Sequence, residues 1–358
     1  MLKFVLKNLG YGVLVVFGVL TLVFFLFNIL PGDPARMMLG QRADEASIEL
    51  IHKDLGMDKP LGVQYLNYVN DVMPISIHST DKQSNYYLDT TKYKSFATLI
   101  SLGDTKIIAK KPYLRRSYQS KREVGEILLE AFPNTIILAL ASILIAFVLG
   151  VVLGCFSSLY VNTWVDRTIQ VITSMGMSLP SFFAAILIAW IFAFVLSDIT
   201  GLSMFGSLYV VDEMGQGEHL CLKNLILPAI TLGIRPLAVI TELTKSTMID
   251  VFSQDYIRTA KAKGLSTFKI IYHHALRNAL NPVITAVSGW FASLIAGAVF
   301  VEYIFDWKGV GVVIVNSLET YDFPVVMGAL LVICVFLVII NIITDILYGV
   351  LDARVRIK

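Results

Sequence analysis

The chain has 358 residues, of which 56% are hydrophobic and 16% charged, with a formal net charge of +2. Soluble domains carry about 25% charged residues, so water is a poor solvent for this chain and the composition predicts an integral membrane protein. The same numbers exclude disorder, a collagen-like fibre and a disulfide scaffold, and +2 is too small a charge to argue for nucleic acid.

A bilayer core takes about 20 apolar residues per helix. The first such run is Leu9–Leu30, behind Lys3 and Lys7. It is longer than the roughly 7–15 residues of a signal-peptide core, and Pro31-Gly32-Asp33-Pro34 follows it rather than a small-residue cleavage site, so it reads as a retained span. Residues 31–122 then carry 14 Lys/Arg and 10 Asp/Glu. Within them, residues 43–70 read as helical, with Ile48, Leu50, Ile51 and Leu55 at helical spacing and Gly56 and Pro60 as punctuation. Residues 74–117 are polar and weakly patterned and read as an inserted extracytoplasmic lobe. Glu123–Ala131 is amphipathic and leads into a second span at Pro133.

That second span is Phe132–Val165, with its core at Thr135–Leu159. The third is Thr168–Ser197, interrupted by Pro180, where the hydroxyls of Ser178 and Ser181 can satisfy freed carbonyls. The kink reads equally as packing or as gating. A weaker fourth candidate, Asn224–Met248, is broken by Arg235 and Glu242, and its alternative is a re-entrant segment. Asn278–Val301 and Phe323–Thr344 are the fifth and sixth. The expected fold is therefore an all-α integral membrane protein with six transmembrane helices and an extracytoplasmic lobe between helices 1 and 2. The expected domains are residues 1–30, 31–122 and a core at 123–358. Cys155 and Cys334 fall in apolar runs as small hydrophobes, and with Cys221 they show no metal spacing.

Lys and Arg in short loops set orientation. With the N-terminus inside, the inner segments hold 12 of them and the short outer loops, 197–223 and 302–322, hold only Lys223 and Lys308. Both termini are expected to be cytoplasmic. The 31–122 segment exceeds the roughly 60 residues beyond which loops translocate regardless of charge.

The inner loop after the fourth span reads as helix, break, helix. Ser253 or Asp255 can cap a start, Lys261 and Lys263 suit the negative end, and Gly264 is placed as the left-handed residue beyond it. Ser266 can cap the next helix, which runs through His273, His274, Arg277 and Asn278 toward Pro282. The first helix is so short that it needs a partner surface to stay folded. His273 and His274 are neighbours that do not face each other on a helix, so no metal site is read there.

Charge inside a span is costly and marks function or structural pairing. Arg235 and Glu242 share a helix face two turns apart, too far for a direct pair, and Glu242 with Lys245 is the expected local pair. Arg235 reads either as a structural charge at a polar boundary or as a group facing a water-filled route that meets a substrate carboxylate. Gly289, Ala292, Ser293, Ala296 and Gly297 give the fifth span a small-residue face suited to close helix approach. Glu302 and Asp322 read as loop-shaping or gate groups, and Asp345 as an interface or capping acid.

The loop Asp255-Tyr-Ile-Arg-Thr-Ala-Lys-Ala-Lys-Gly264-Leu, followed by His274-Ala-Leu-Arg-Asn-Ala, resembles the EAA loop of ABC importer permeases, in the wording of their dipeptide/oligopeptide (peptide/nickel) branch. Other blocks are similar: Pro31-Gly32-Asp33-Pro34, Pro133-Asn134-Thr135, Leu227-Pro228-Ala229-Ile230, Gly297-Ala298-Val299 with Glu302, Trp307-x-Gly309-x-Gly311, Tyr321-Asp322-Phe323-Pro324 and Asp345-Ile-Leu-Tyr-Gly349. Arg258-Thr259-Ala260 stands where the general pattern has Glu-Ala-Ala, Glu242 stands where relatives often carry Arg, and the 74–117 insertion lacks the short run relatives have before the second span.

The resemblance implies a type I importer permease that pairs with a second, homologous permease. Two cytosolic ATPases bind below, using ATP and Mg; a solute-binding protein delivers a peptide from outside; and the membrane lipid is that of a bacterial or archaeal inner membrane. No cofactor is expected in this chain. Asp255, Tyr256, Arg258, Ala260, Lys263, Gly264 and His274 would couple to an ATPase. Arg235, Glu242, Gly289, Ser293 and Gly297 would line the route. The sequence holds no G-x-x-x-x-G-K-[ST] motif, so it is not expected to be an enzyme. Nickel or metal–chelator import is the alternative within the family. A proton-coupled transporter or membrane enzyme is the alternative outside it, and the fully apolar spans offer none of the mid-membrane carboxyl or His groups these would need before Asp345.

Overall fold

The computed structural model describes residues 2–29, 45, 48–49, 52, 56–90, 92–211 and 217–351, without the side chains of 2–6 and 347–351. Pro31-Gly32-Asp33-Pro34, most of residues 43–55 of the helix expected over 43–70, and Arg354, Arg356 and Lys358 lie outside these residues.

Among the described residues, five helices are long and apolar enough to cross a membrane. They lie in α1 (Leu2–Ile29), α3 (Val124–Leu159), α6 (Lys223–Phe252), the run Thr267–Gly297 that ends in α8 (Leu276–Gly297), and α11 (Phe323–Leu351). A sixth is reached if α4 (Trp164–Ser178) and α5 (Ser181–Ile188), with its π-helical continuation Ala189–Val195, count as one span bent by 114°. The break falls at Pro180 in the third span, where the sequence placed an interruption, while the fourth, for which a re-entrant segment was the alternative, is one continuous helix. Leu179, which precedes Pro180, is extended at φ −75° and ψ 132°, as a residue before proline prefers. Ser178 Oγ donates to the Ser174 carbonyl at 2.9 Å. Arg235 does not interrupt α6, because a charged side chain leaves the backbone ladder intact. The second span starts earlier than expected: α3 runs unbroken from Val124 through Pro133.

The chain divides into two compact units, residues 131–312 with 340–358, and residues 2–130 with 313–339. In the first, α3 approaches α6 closely. A Cβ on Gly154 would lie 2.5 Å from Thr244 Cβ and 2.7 Å from the Thr241 carbonyl, and one on Gly150 would lie 2.7 Å from Ile240 Cγ2. This Gly-x-x-x-Gly seam allows the backbones to meet. The small-residue face expected on the fifth span does not act this way among the described residues, since Cβ atoms on Gly289 and Gly297 would meet nothing within 4 Å.

In the second unit, Leu20, Val23 and Phe24 of α1 pack with Tyr68 of α2 (Leu61–Val72) and with Met327 and Leu331 of α11. The 74–117 insertion contains an antiparallel sheet in the order β1-β3-β2, formed by β1 (Ile75–Ser79), β2 (Phe96–Leu102) and β3 (Thr105–Lys110), with Ile77 opposite Ile107 and a bulge between Thr98 and Ile100. β1 buries Ser76 and His78 while Ile75 and Ile77 are exposed. This inversion of the usual polar-out pattern is why the segment reads as weakly patterned. Asp71 anchors the lobe: its carboxylate accepts from Lys92 Nζ at 2.7 Å and from Tyr93 OH at 2.5 Å, and Lys110 Nζ donates to its backbone carbonyl at 2.5 Å. Burial holds Lys110 down at about 8 against the pull of Asp71.

Candidate functional site

Helix α6 brings Arg235 to the wall of a cavity of about 140 Å³. Thr231 stands one turn before Arg235 on the same helix. The bend between α4 and α5 adds Leu179 and Ser181, and α8 adds Trp290, Ser293 and Gly297, which the i, i+3, i+7 spacing puts on one face. Three of the five expected route residues, Arg235, Ser293 and Gly297, thus meet at one cavity. Glu242 and Gly289 do not line it. The expected Glu242–Lys245 pair does not form. Lys245 Nζ instead lies 2.6 Å from Asp166 Oδ1, a buried carboxylate that also accepts from Ser157 Oγ at 2.5 Å and from the Asn162 amide at 3.0 Å. A buried charge is costly without partners, so it captures the lysine that Glu242, facing outward, does not need.

The inner loop forms α7 (Asp255–Ala262). Ser253 and Asp255 do not cap it with their side chains. Gln254 occupies the cap position, Ser253 Oγ donates back to the Asp250 carbonyl at 2.7 Å, and Asp255 pairs with Arg258 at 3.2 Å on the exposed face. The other end follows the sequence closely. Gly264 has φ +74°, its amide donates to the Lys261 carbonyl at 3.0 Å, and the Leu265 amide donates to the Ala260 carbonyl at 3.3 Å. That is a Schellman cap, which needs the left-handed residue. Ile257 and Ala260 are buried against Met248, Ile270, Ala275 and Ala279, so this short helix finds its support within the chain. Asp255, Tyr256, Arg258, Lys263 and Gly264 are exposed together, while Ala260 is buried and His274 half-buried. Asn278 Nδ2 donates to Tyr256 OH at 2.8 Å. Sequence reasoning missed Phe268 and Tyr272, exposed by 75% and 62% and stacked with centroids 6.2 Å apart. Their i, i+4 spacing on a polar loop was the available signal.

Beyond α8, three blocks that are distant in sequence close on one another. The helix α9 (Val299–Phe305) ends at Asp306 in the left-handed region, φ 52°. Trp307, fully buried, donates its indole N–H to the Asn134 carbonyl at 2.9 Å, and the Val310 amide donates to Thr135 Oγ1 at 2.9 Å. The Gly311 amide donates to Glu302 Oε2 at 2.6 Å. A Cβ on Gly309 would fall on the Glu302 carboxylate, and one on Gly311 would lie 2.5 Å from Val299 Cα. Burial raises the Glu302 carboxyl to about 7, opposed by hydrogen bonding from Thr135 and the Gly311 and Val312 amides. In the other unit, Asp322 accepts from Ser117 Oγ at 2.5 Å and the Tyr118 amide at 2.9 Å. Both acids hold loops in shape.

A family described as "Binding-protein-dependent transport system inner membrane component" matches residues 146–357, and its N-terminal component matches residues 1–86. The chain belongs to this family. Its relatives include the di/tripeptide transport system permease protein DppB of Pseudomonas aeruginosa (strain UCBPP-PA14), 34% identical over 99% of each chain. Another is the probable D,D-dipeptide transport system permease protein DdpB of Escherichia coli (strain K12), 33% identical over 98% of this chain and 97% of that one. Among solved structures, a chain of the inward-facing MetNI methionine ABC transporter superposes with a TM-score of 0.51 at 15% identity, covering 64% of this chain and 97% of that one. The fold of this ABC permease is that of the type I importers, and it is a multi-pass membrane channel subunit.

Proposed function

We propose that this permease passes short peptides into the cytoplasm, driven by ATP hydrolysed on partner subunits. The observation that carries the reading is the full-length likeness to a di/tripeptide permease, 34% identical over 99% of both chains. In this reading the exposed face of α7, with Asp255, Tyr256, Arg258, Lys263 and Gly264, docks in a groove of a cytosolic ATPase. Phe268 and Tyr272 extend that contact. A second permease completes the pore, a solute-binding protein delivers the peptide at the outer face, and both termini are cytoplasmic. The chain has no phosphate-binding loop, which supports ATP and Mg acting on the partners.

Uptake of radiolabelled Ala-Ala by cells carrying the intact system, compared with cells lacking this chain, tests the proposal. Uptake should vanish on deletion, return with the gene, and be competed by di- and tripeptides rather than by Ni²⁺. Competition by Ni²⁺ with indifference to peptides would overturn it in favour of metal import.

A further inference from the structure

A guanidinium within a membrane-spanning helix is costly unless paired or wetted. Lys245, further along α6, is paired with Asp166. Arg235 makes no ion pair among the described residues, yet it is exposed on the wall of the 140 Å³ cavity. The remaining lining supplies no acid to neutralise it. Thr231 has its hydroxyl committed to the Leu227 carbonyl at 2.8 Å, while Ser181 and Ser293 bring hydroxyls and Trp290 an indole face. The cavity therefore presents one cation beside hydroxyl donors and an aromatic wall, among apolar groups. Its volume exceeds that of a single water site and takes a small organic group.

We propose that this cavity is a transient subsite for the C-terminal carboxylate of the travelling peptide, held by Arg235. The guanidinium fork matches a carboxylate in a bidentate pair, and Ser293 can donate to the same oxygens. A peptide's terminal ammonium would be repelled by Arg235, so the peptide enters the subsite carboxylate-first. The inference rests on reading this chain as a peptide permease.

The test uses the complete transporter in proteoliposomes, with Ala-Ala and its C-terminal amide as substrates. Each uptake rate is divided by the occupancy of the binding protein, so that the binding protein's own preference is removed. Losing a charge-assisted contact should lower the preference for Ala-Ala over the amide about ten- to hundredfold in Arg235→Gln. Arg235→Lys should restore most of that preference. Gly297→Leu, which adds a side chain to the α8 lining where a Cβ meets nothing within 4 Å, should depress Ala-Ala uptake while leaving the guanidinium in place. An unchanged preference in an assembled Arg235→Gln transporter overturns the subsite, as does full Ala-Ala uptake in Gly297→Leu. A wild-type transporter that imports neither substrate from a loaded binding protein refutes the peptide reading itself, and the subsite with it.

Discussion

At the scale of single residues, two positions, Gly264 and Glu302, carry a backbone demand and a charge demand. Gly264 holds φ +74° with open space where a Cβ would sit. The cost of Gly264→Ala is then conformational alone, about 1 kcal/mol. Gly264→Val adds a branched Cβ that the left-handed region excludes. We expect uptake to fall modestly in the first and severely in the second, with the protein still in the membrane in both. Equal uptake in wild type and Gly264→Val would remove the coupling role. Glu302 sets a pH dependence. Its folded carboxyl titrates at about 7, above the ordinary glutamate value. The folded state therefore binds the proton more tightly than the unfolded state, and the resulting stability is full below the unfolded value and lost as pH rises through about 7. Thermal unfolding of the purified transporter should show this decline between pH 4.5 and 7.5, and Glu302→Gln, which keeps an acceptor for the Gly311 amide, should flatten it.

At the scale of elements, two contacts decide how helices serve the channel. The α3–α6 seam depends on Gly150 and Gly154, and Gly154→Leu would drive a side chain into Thr244 and the Thr241 carbonyl. We expect a fall of several degrees in melting temperature and loss of assembled transporter, while Gly289→Ala, in open space, should have little effect. The helix α7 is amphipathic in a simple sense: Ile257 is fully buried and its neighbours Tyr256 and Arg258 are exposed. Ile257→Ala should cost about 2–5 kcal/mol of local stability, seen as faster hydrogen exchange over 255–265. The Gly264 turn was legible in the sequence because a C-terminal cap is a local matter of one backbone angle. The start of α7 was not, because Ser253 and Asp255 can each cap a helix, yet the way the chain leaves α6 puts Gln254, which makes no side-chain cap bond, at that position. The lobe's strands were hidden for a related reason: β1 turns Ser76 and His78 inward because Asp71, Tyr93 and Lys110 make that side polar.

At the scale of the whole molecule, the number of crossings depends on one bend. The 114° turn at Leu179–Pro180 makes the third span either one broken crossing or two shorter arms. The charge bias of the short loops supports cytoplasmic termini. Single-cysteine variants at His219 and Lys263 test this, since a membrane-impermeant thiol reagent added outside should label His219→Cys and spare Lys263→Cys. Labelling of the second alone would reverse the orientation.

By itself, the sequence determined the membrane class, the six apolar runs with the interruption at Pro180, the positive-inside bias and the turn at Gly264. Each is a local property: apolar length, charge composition, or a single residue's φ. Only the tertiary structure decided that Arg235, Ser293 and Gly297 meet at one cavity while Gly289 and Glu242 do not. It likewise decided that Lys245 belongs to Asp166 and that Asn134, Thr135, Glu302 and Gly311 close one knot. The partners in these contacts lie 9 to 175 positions apart in the chain, and which of several suitable groups a buried charge captures depends on where packing places them.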